Sequence, residues 1–431
     1  LIDAATPSHP VLDLFGVNRP PVSDTVDGDV YDFTTLFQAA GIRGIRSHGN
    51  GLTGLCRLYT DDTLLSTSTG GSADATECNA DMGLWSVTDV FEVDNPSHYD
   101  WNDPDEVISS ITDGGFELLL RLGEAQGAPN NTDTPDGWVG VAANMARRYT
   151  EGWPAGSTLL AEAPAYIEIH NEPDGLFWIG DWSVYLDIYA DTFDVLQAED
   201  WGPSVRLGGS GFTDGGVDSW LTGLGSTSDV GRFMETHAGV RTDFISIHHY
   251  GDCDEAEPSD LWHHIHGVRS SLEELTEGAD IPLLLTEWNI GTSGACGLDL
   301  YKTPQTGAYV SAALTLLQAD PELNVDRAYF FSGAPQMSLF GWDEAETDFK
   351  IEPSAFAFRW HANLFSALHQ FDTQVCPTDS TCLSPIDASL DGQPVYATAA
   401  ETRPGTISVV LANYSDAAIS VDVTGSGHTL F

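Results

Sequence analysis

The stretch "AYIEIHNEPDG", residues 165–175, decides how this chain is read. Ala165 to Ile169 is an apolar-rich run of strand length that ends abruptly in His170, Asn171, Glu172 and Pro173. Proline cannot donate to a sheet ladder and stops the strand. An amide and a carboxylate are therefore displayed at a strand end. Seven more runs have the same length and character: "LDLFGVN" (12–18), "GIRGIRS" (41–47), "FELLLRLG" (116–123), "VRLGGSG" (205–211), "DFISIHHY" (243–250), "IPLLLTEW" (281–288) and "RAYFFSG" (327–333).

Helical patterns lie between these runs. The clearest follows Asp181, a candidate N-cap, with apolar residues at Trp182, Tyr185, Leu186, Tyr189, Phe193 and Leu196, a stripe of helical period. Others cover 139–150, 267–277 and 306–319. Strands alternating with helices over about 360 residues predict an α/β fold, a (β/α)8 TIM barrel, spanning residues 11–371. A doubly wound open sheet is the competing layout. It usually carries a Gly-rich phosphate fingerprint after its first strand, and "FGVNRPP" (15–21) is not one. Separate smaller domains would need a linker, and none is evident. After residue 371 the helical pattern stops. "PVYATAAET" (394–402), "TISVVLANYS" (406–415) and "AAISVDVTG" (417–425) are short β segments. They predict a small accessory β-sandwich over 372–431, with residues 1–10 as a candidate extra strand.

Among the 431 residues, 16 basic side chains face 65 acidic ones, a net charge of −49. Lys302 and Lys350 are the only lysines. Such a surface repels nucleic acid and anionic membranes, so neither is an expected partner. It is also tolerable at high salt, where ions screen the repulsion. No apolar run reaches the ~18 residues of a membrane span. The chain begins at Leu1 without a charged-then-apolar leader, as expected of a processed or trimmed form. Six cysteines allow fifteen pairings. The preferred one follows sequence order, Cys56–Cys78, Cys253–Cys296 and Cys376–Cys382, and implies a secreted protein.

In a barrel, functional groups gather at the C-terminal ends of the strands. The second run ends in Arg46, Ser47, His48 and Gly49, the fourth in Asn171 and Glu172, and the sixth in His248, His249 and Tyr250. The seventh ends in Thr286, Glu287, Trp288 and Asn289. A lone strand-end glutamate more often serves as a cap or an ion-pair partner. Two of them, on strands facing each other across a barrel mouth, suit double-displacement hydrolysis of a glycoside, which needs two carboxyls about 5 Å apart. Arg46 would hold one carboxylate ionised, and Tyr250 could donate to it. Trp178, Trp288 and Trp342 are candidates for stacking on sugar rings, against the plainer reading of core packing. The fragment "WHHIH" (262–266) suggests zinc, but His263, His264 and His266 do not share one helical face, so no metal or other cofactor is expected.

With those residues placed, the chain resembles the retaining glycoside hydrolases of clan A, and most of all glycoside hydrolase family 39, which includes β-xylosidases and α-L-iduronidases. The similar motifs are "IRSHGNG" (45–51), "IEIHNEPDGLFW" (167–178), "VRLGGSG", "DFISIHHY" and "LLLTEWNIG" (283–291). The resemblance implies Glu172 as general acid/base and Glu287 as nucleophile. It implies Asn171 on the sugar 2-hydroxyl, with His48 and Tyr250 lining the subsite. Ser47 departs from the family, standing where an aromatic is usual. The expected substrate is a plant or marine poly- or oligosaccharide. An endo-acting clan A hydrolase of another family and a non-catalytic carbohydrate-binding protein are the alternatives.

Overall fold

The computed structural model describes residues 2–7, 9–24, 30–48, 93–96, 99, 101–122, 135–157, 160, 162–175, 177–178, 181–224, 227–275, 280–334, 337–342, 349–365, 367, 370–373, 375, 395–404, 406–415, 417–420 and 429–430. Eight parallel strands close into a barrel: β1 (Gly16–Asn18), β2 (Gly44–Arg46), β3 (Glu117–Leu122), β4 (Tyr166–Ile169), β5 (Arg206–Phe212), β6 (Phe244–Tyr250), β7 (Leu283–Asn289) and β8 (Val325–Phe330). Each falls within, or within two residues of, one of the eight apolar runs. This is the expected (β/α)8 TIM barrel.

The pleat sorts each strand's residues into two environments. Inward-facing Leu119, Tyr166, Phe244, Leu284 and Tyr329 form a separate apolar layer that plugs the barrel. Outward-facing Ile45, Leu120, Ile167, Leu207, Ile247 and Leu285 join the main core under the helices. Gly16 is required by the plug, because a Cβ there would come within 2.5 Å of the Tyr329 ring.

The helix after β4 spans Trp182–Gln197. Asp181 caps it, accepting from Ser183 N–H at 2.8 Å, which satisfies one orphan donor of the first turn. Its buried stripe includes Trp182, Tyr185, Tyr189, Phe193 and Leu196. The helix predicted over 267–277 instead occupies Pro258–Glu274. Its start fits proline at the first helical position, where the missing N–H costs nothing.

Outside the barrel lies a five-stranded sheet, in the order Ile2–Pro7, Gln370–Thr373, Val395–Arg403, Thr406–Asn413 and Thr429–Leu430. The N-terminal residues supply its first strand, antiparallel to Gln370–Thr373. Ala400 and Val410 on this sheet bury themselves with Leu364 of the helix Pro353–Phe365, so the sheet rests on the helical layer. Among the described residues no helix is long and apolar enough to cross a membrane.

Candidate active site

The β4 segment alternates as the pleat requires. Ile167 and Ile169 face the helices, and Tyr166 and Glu168 face the barrel axis. The backbone then turns sharply, with His170 at φ 74° and Glu172 at φ 43°. Both lie in the left-handed region that ordinary side chains rarely adopt, and such strain gathers at functional sites. The Glu172 N–H is tied to the Ser210 and Gly211 carbonyls of β5, each at 3.1 Å. That anchorage leaves the Glu172 carboxylate over the mouth, with a side chain 20% exposed.

Arg46, at the end of β2, organises the floor. It is fully buried. It donates to Glu168 Oε2 at 2.6 Å, Asn18 Oδ1 at 3.0 Å, Glu287 Oε1 at 2.7 Å and Asn171 Oδ1 at 2.5 Å. A buried guanidinium is tolerable only when its donors are used, and here the ends of β1, β4 and β7 contribute its four acceptors. Close approach by β5 is what makes room. A Cβ on Gly211 (φ +61°) would lie 2.8 Å from His248 Nε2 and 3.3 Å from both Arg46 Nη2 and Glu168 Oε1.

Glu287 projects from β7 into this network. Besides Arg46, it meets His48 Nε2 at 3.1 Å and accepts from the Tyr250 hydroxyl at 2.6 Å. Burial by itself would push the Glu287 carboxyl up, but His248, His48 and Arg46 outweigh it and hold the group well below the usual carboxylate range. His48 is pushed down to about 3, first by burial and then by Arg121. Near neutral pH it therefore acts as a neutral donor, and the cationic support comes from Arg46 and His248. Burial works against a charged His248, yet Glu287 and Glu172 raise its pKa. Its ring bridges the two glutamates, with Nδ1 2.7 Å from Glu172 Oε1 and Nε2 3.8 Å from Glu287 Oε1. An oxygen of Glu172 and an oxygen of Glu287 lie within 4.8 Å of each other.

The far wall is aromatic. Phe331, half-buried after β8, touches His48 edge-on at 5.0 Å, and its centroid lies 6.3 Å from that of Tyr250. The Arg19 guanidinium lies 5.3 Å from the Phe331 ring centroid.

Thus Arg46, His48, Asn171, Glu172, His248, Tyr250 and Glu287 converge. Three sequence-stretch candidates do not join them. His249 points to the opposite face of β6, where Nδ1 meets Asp214 at 2.9 Å. Trp288 is completely buried on the outside of β7, edge-on to Phe330 and stacked over Phe358. Trp178 is buried against His170 and Tyr185, so no ring face is open for a sugar. For His249 the physical reason is the alternation of a strand, since His248 faces inward. On β7 the register shifts between Leu285 and Glu287, an irregularity of the kind that re-aims a side chain beside a site. Glu287 faces inward although Leu284 does too, and Trp288 after it faces out. Trp342 lies in the hairpin strand Phe340–Trp342, and its side chain is outside the described residues. Of the disulfides, Cys253–Cys296 is formed, with Cα atoms 5.2 Å apart. Cys56, Cys78, Cys376 and Cys382 lie outside the described residues.

Asn18, Arg121 and Glu168 were not singled out in the sequence. Glu168 and Arg121 are neighbours across β3 and β4, both almost completely buried. Burial and Arg46 pull Arg121 down to about 9. Their signal was a single charged residue inside each otherwise apolar run, "YIEI" and "LLLRL".

A closed parallel barrel with two carboxylates at its C-terminal mouth is an arrangement widely used by enzymes. No protein-family model and no curated protein matches the chain. Solved structures do match in fold. The chain is similar to a glucosidase from Croceicoccus marinus, at 19% identity and TM-score 0.65, over 96% of this chain and 77% of that one. It is also similar to a bacterial orthologue of human α-L-iduronidase, at 15% identity and TM-score 0.63, over 97% of this chain. There the match spans only 65% of the other chain. An α-L-arabinofuranosidase from Thermotoga maritima in complex with arabinose matches at 14% identity and TM-score 0.59, over 95% of this chain and 84% of that one.

Proposed function

We propose that the protein is a retaining O-glycosidase of clan A, with Glu287 as nucleophile and Glu172 as general acid/base. The observation that carries this reading is a pair of strand-end carboxylates with oxygens within 4.8 Å, only one of which is wrapped by Arg46, His48 and Tyr250. That closeness suits a covalent intermediate, since inverting enzymes need about 6.5–9.5 Å to seat a water.

Glu287 attacks the anomeric carbon as the glycosidic C–O bond breaks. The proton passes from Glu172 to the departing oxygen. Water then attacks the glycosyl ester, giving its proton to Glu172 and releasing Glu287. His248, hydrogen-bonded to Glu172 and near Glu287, steadies the charge on both carboxylates as the proton moves. Asn171, fixed by Arg46, would meet the 2-hydroxyl of the attacked sugar. Phe331 offers the apolar wall that the buried tryptophans do not.

Membership of glycoside hydrolase family 39 is the finer proposal, supported by the strand-end motifs, and a plant or marine poly- or oligosaccharide is the substrate class. The names of the similar structures, a glucosidase, an iduronidase orthologue and an arabinofuranosidase, support carbohydrate chemistry. Export from the cell is proposed with it, supported by the Cys253–Cys296 bridge.

The test is Glu172→Gln. Turnover of glycosides with poor leaving groups should fall by about 10²–10⁴, the usual worth of a general acid. Aryl glycosides with good leaving groups should still form the intermediate, and added azide should trap it with retained configuration. Inverted product from the parent enzyme, or parent rates in both Glu172→Gln and Glu287→Gln, would overturn the assignment.

A further inference from the structure

Behind β6, on the face turned away from the sugar site, Asp214, His249 and His264 converge from three elements. His249 belongs to β6, Asp214 opens the short helix Asp214–Ser219, and His264 lies on the helix Pro258–Glu274. Asp214 Oδ1 is 2.9 Å from His249 Nδ1 and 3.6 Å from His264 Nε2. One ligand atom from each residue can be chosen so that all three lie within 4.8 Å of one another. Tetrahedral ligands held at 2.0–2.2 Å from a zinc ion stand about 3.4 Å apart. The two measured edges bracket that spacing.

We propose that Asp214, His249 and His264 bind a borderline divalent transition-metal ion of the Zn²⁺ class. Both imidazoles are more than nine-tenths buried, at 7% and 9% exposure. Among the described residues, His264 Nε2, the ring atom that faces Asp214, has no hydrogen-bond partner, an unusual state for a buried polar atom. Asp214 pairs, among the described residues, with the two histidines and with no arginine or lysine. Its side chain is 31% exposed, which leaves an entry path. Asp218 Oδ1 stands 3.6 Å from His264 Nδ1, beyond hydrogen-bond length, and adds negative charge beside that ring. Two imidazoles and a carboxylate favour zinc-like ions over Mg²⁺ and Ca²⁺, which prefer all-oxygen shells. The motif "WHHIH" has the wrong spacing to hold a metal alone. The fold instead takes one of its histidines and supplies partners from elsewhere.

The position gives the ion a purpose. Asp214 Oδ2 accepts from the Tyr250 backbone N–H at 2.8 Å, and the Tyr250 hydroxyl holds Glu287 at 2.6 Å. The bound ion pins the end of β6 that positions the donor to Glu287.

The test is equilibrium dialysis of the EDTA-stripped full-length chain against Zn²⁺ in excess Mg²⁺, which occupies the scattered surface carboxylates. One Zn²⁺ per chain is expected, with a rise in melting temperature. His264→Gln and, separately, Asp214→Asn should weaken that binding by more than about 100-fold, beyond the range seen for outer-shell partners. Both variants should keep the parent's circular dichroism, and Glu172→Gln should keep the binding. No tight Zn²⁺ in the parent, or parent affinity in both His264→Gln and Asp214→Asn, overturns the proposal. Loss only in Glu172→Gln does so too, since it moves the ion to the Glu172–His248–Glu287 cluster. The readout is binding, so it stands or falls apart from the glycosidase assignment.

Discussion

Replacing Tyr250 by phenylalanine removes one hydrogen-bond donor and almost no volume. The Tyr250 hydroxyl donates to Glu287 Oε2 at 2.6 Å, whereas Arg46, His48 and His248 all address Oε1. Among the described residues Tyr250 is the donor to Oε2, and the variant removes it. A hydrogen bond to a charged group is worth about 1.5–3 kcal/mol, which corresponds to about 1–2 pKa units at 1.36 kcal/mol each. The sign follows from the wild-type state. Glu287 is held well below the usual range, so it is ionised and contributes stability above its unfolded value of about 4.3. That contribution is lost as pH falls through the folded value. Tyr250→Phe raises the folded value, so the acid limb of kcat/KM moves to higher pH by about 1–2 units, and the stability contribution, still lost from about 4.3 downward, becomes smaller by about 1.5–3 kcal/mol. The phenol itself stays protonated, because burial and Glu287 raise it well above its ordinary range. The assay is a pH profile of kcat/KM on an aryl glycoside, with acid melts monitored by circular dichroism. An acid limb unmoved from the parent's would refute the reasoning that Tyr250 holds the nucleophile ionised.

Two more outcomes are expected. Reducing or mutating Cys253–Cys296, which closes a span of 43 residues, removes about 4 kcal/mol of chain-entropy stabilisation. In a chain this long that is a fall of about 4 °C in melting temperature, readable by calorimetry with and without reductant; an unchanged melt would show that the bridge does not constrain the unfolded chain. Asp174→Asn tests a buried acid beside the site. Burial pushes the Asp174 carboxyl up to about 6 despite bonds from Thr213. A raised acid favours the folded state when protonated, so its contribution is full below about 3.9 and is lost as pH rises through about 6. The asparagine variant should lose less stability than the parent across that window in urea melts, and equal slopes would count against it.

Much of the site was legible because strand ends carry function in a barrel. "NEP" and "TEW" stand out as polar endings on apolar runs, and Arg46, His48 and Tyr250 followed from the same rule. The alternation of a strand was equally legible and sharper. Taking Glu287 as inward puts Trp288 outward, and taking His248 as inward puts His249 outward. Aromatic residues near a motif attract a sugar reading, but here their burial on the helical side makes them part of the core. Glu168 and Arg121 were less visible because a charge inside an apolar run reads as an interruption. Only when eight strands close does it become part of a buried network that Arg46 can satisfy.

The amino-acid sequence by itself determined the element order, the barrel and the strand ends that bear polar groups, because the hydrophobic period is local and survives without a partner. Tertiary structure alone decided which groups meet. Closure brings Arg46 to Asn18, Glu168, Asn171 and Glu287 across as many as 241 residues of chain. It selects Cys253–Cys296 from fifteen pairings, and it sets Asp214 and His264 around an outward-facing His249. Those are distances between residues remote in the chain, and no local pattern encodes a distance until the backbone closes on itself.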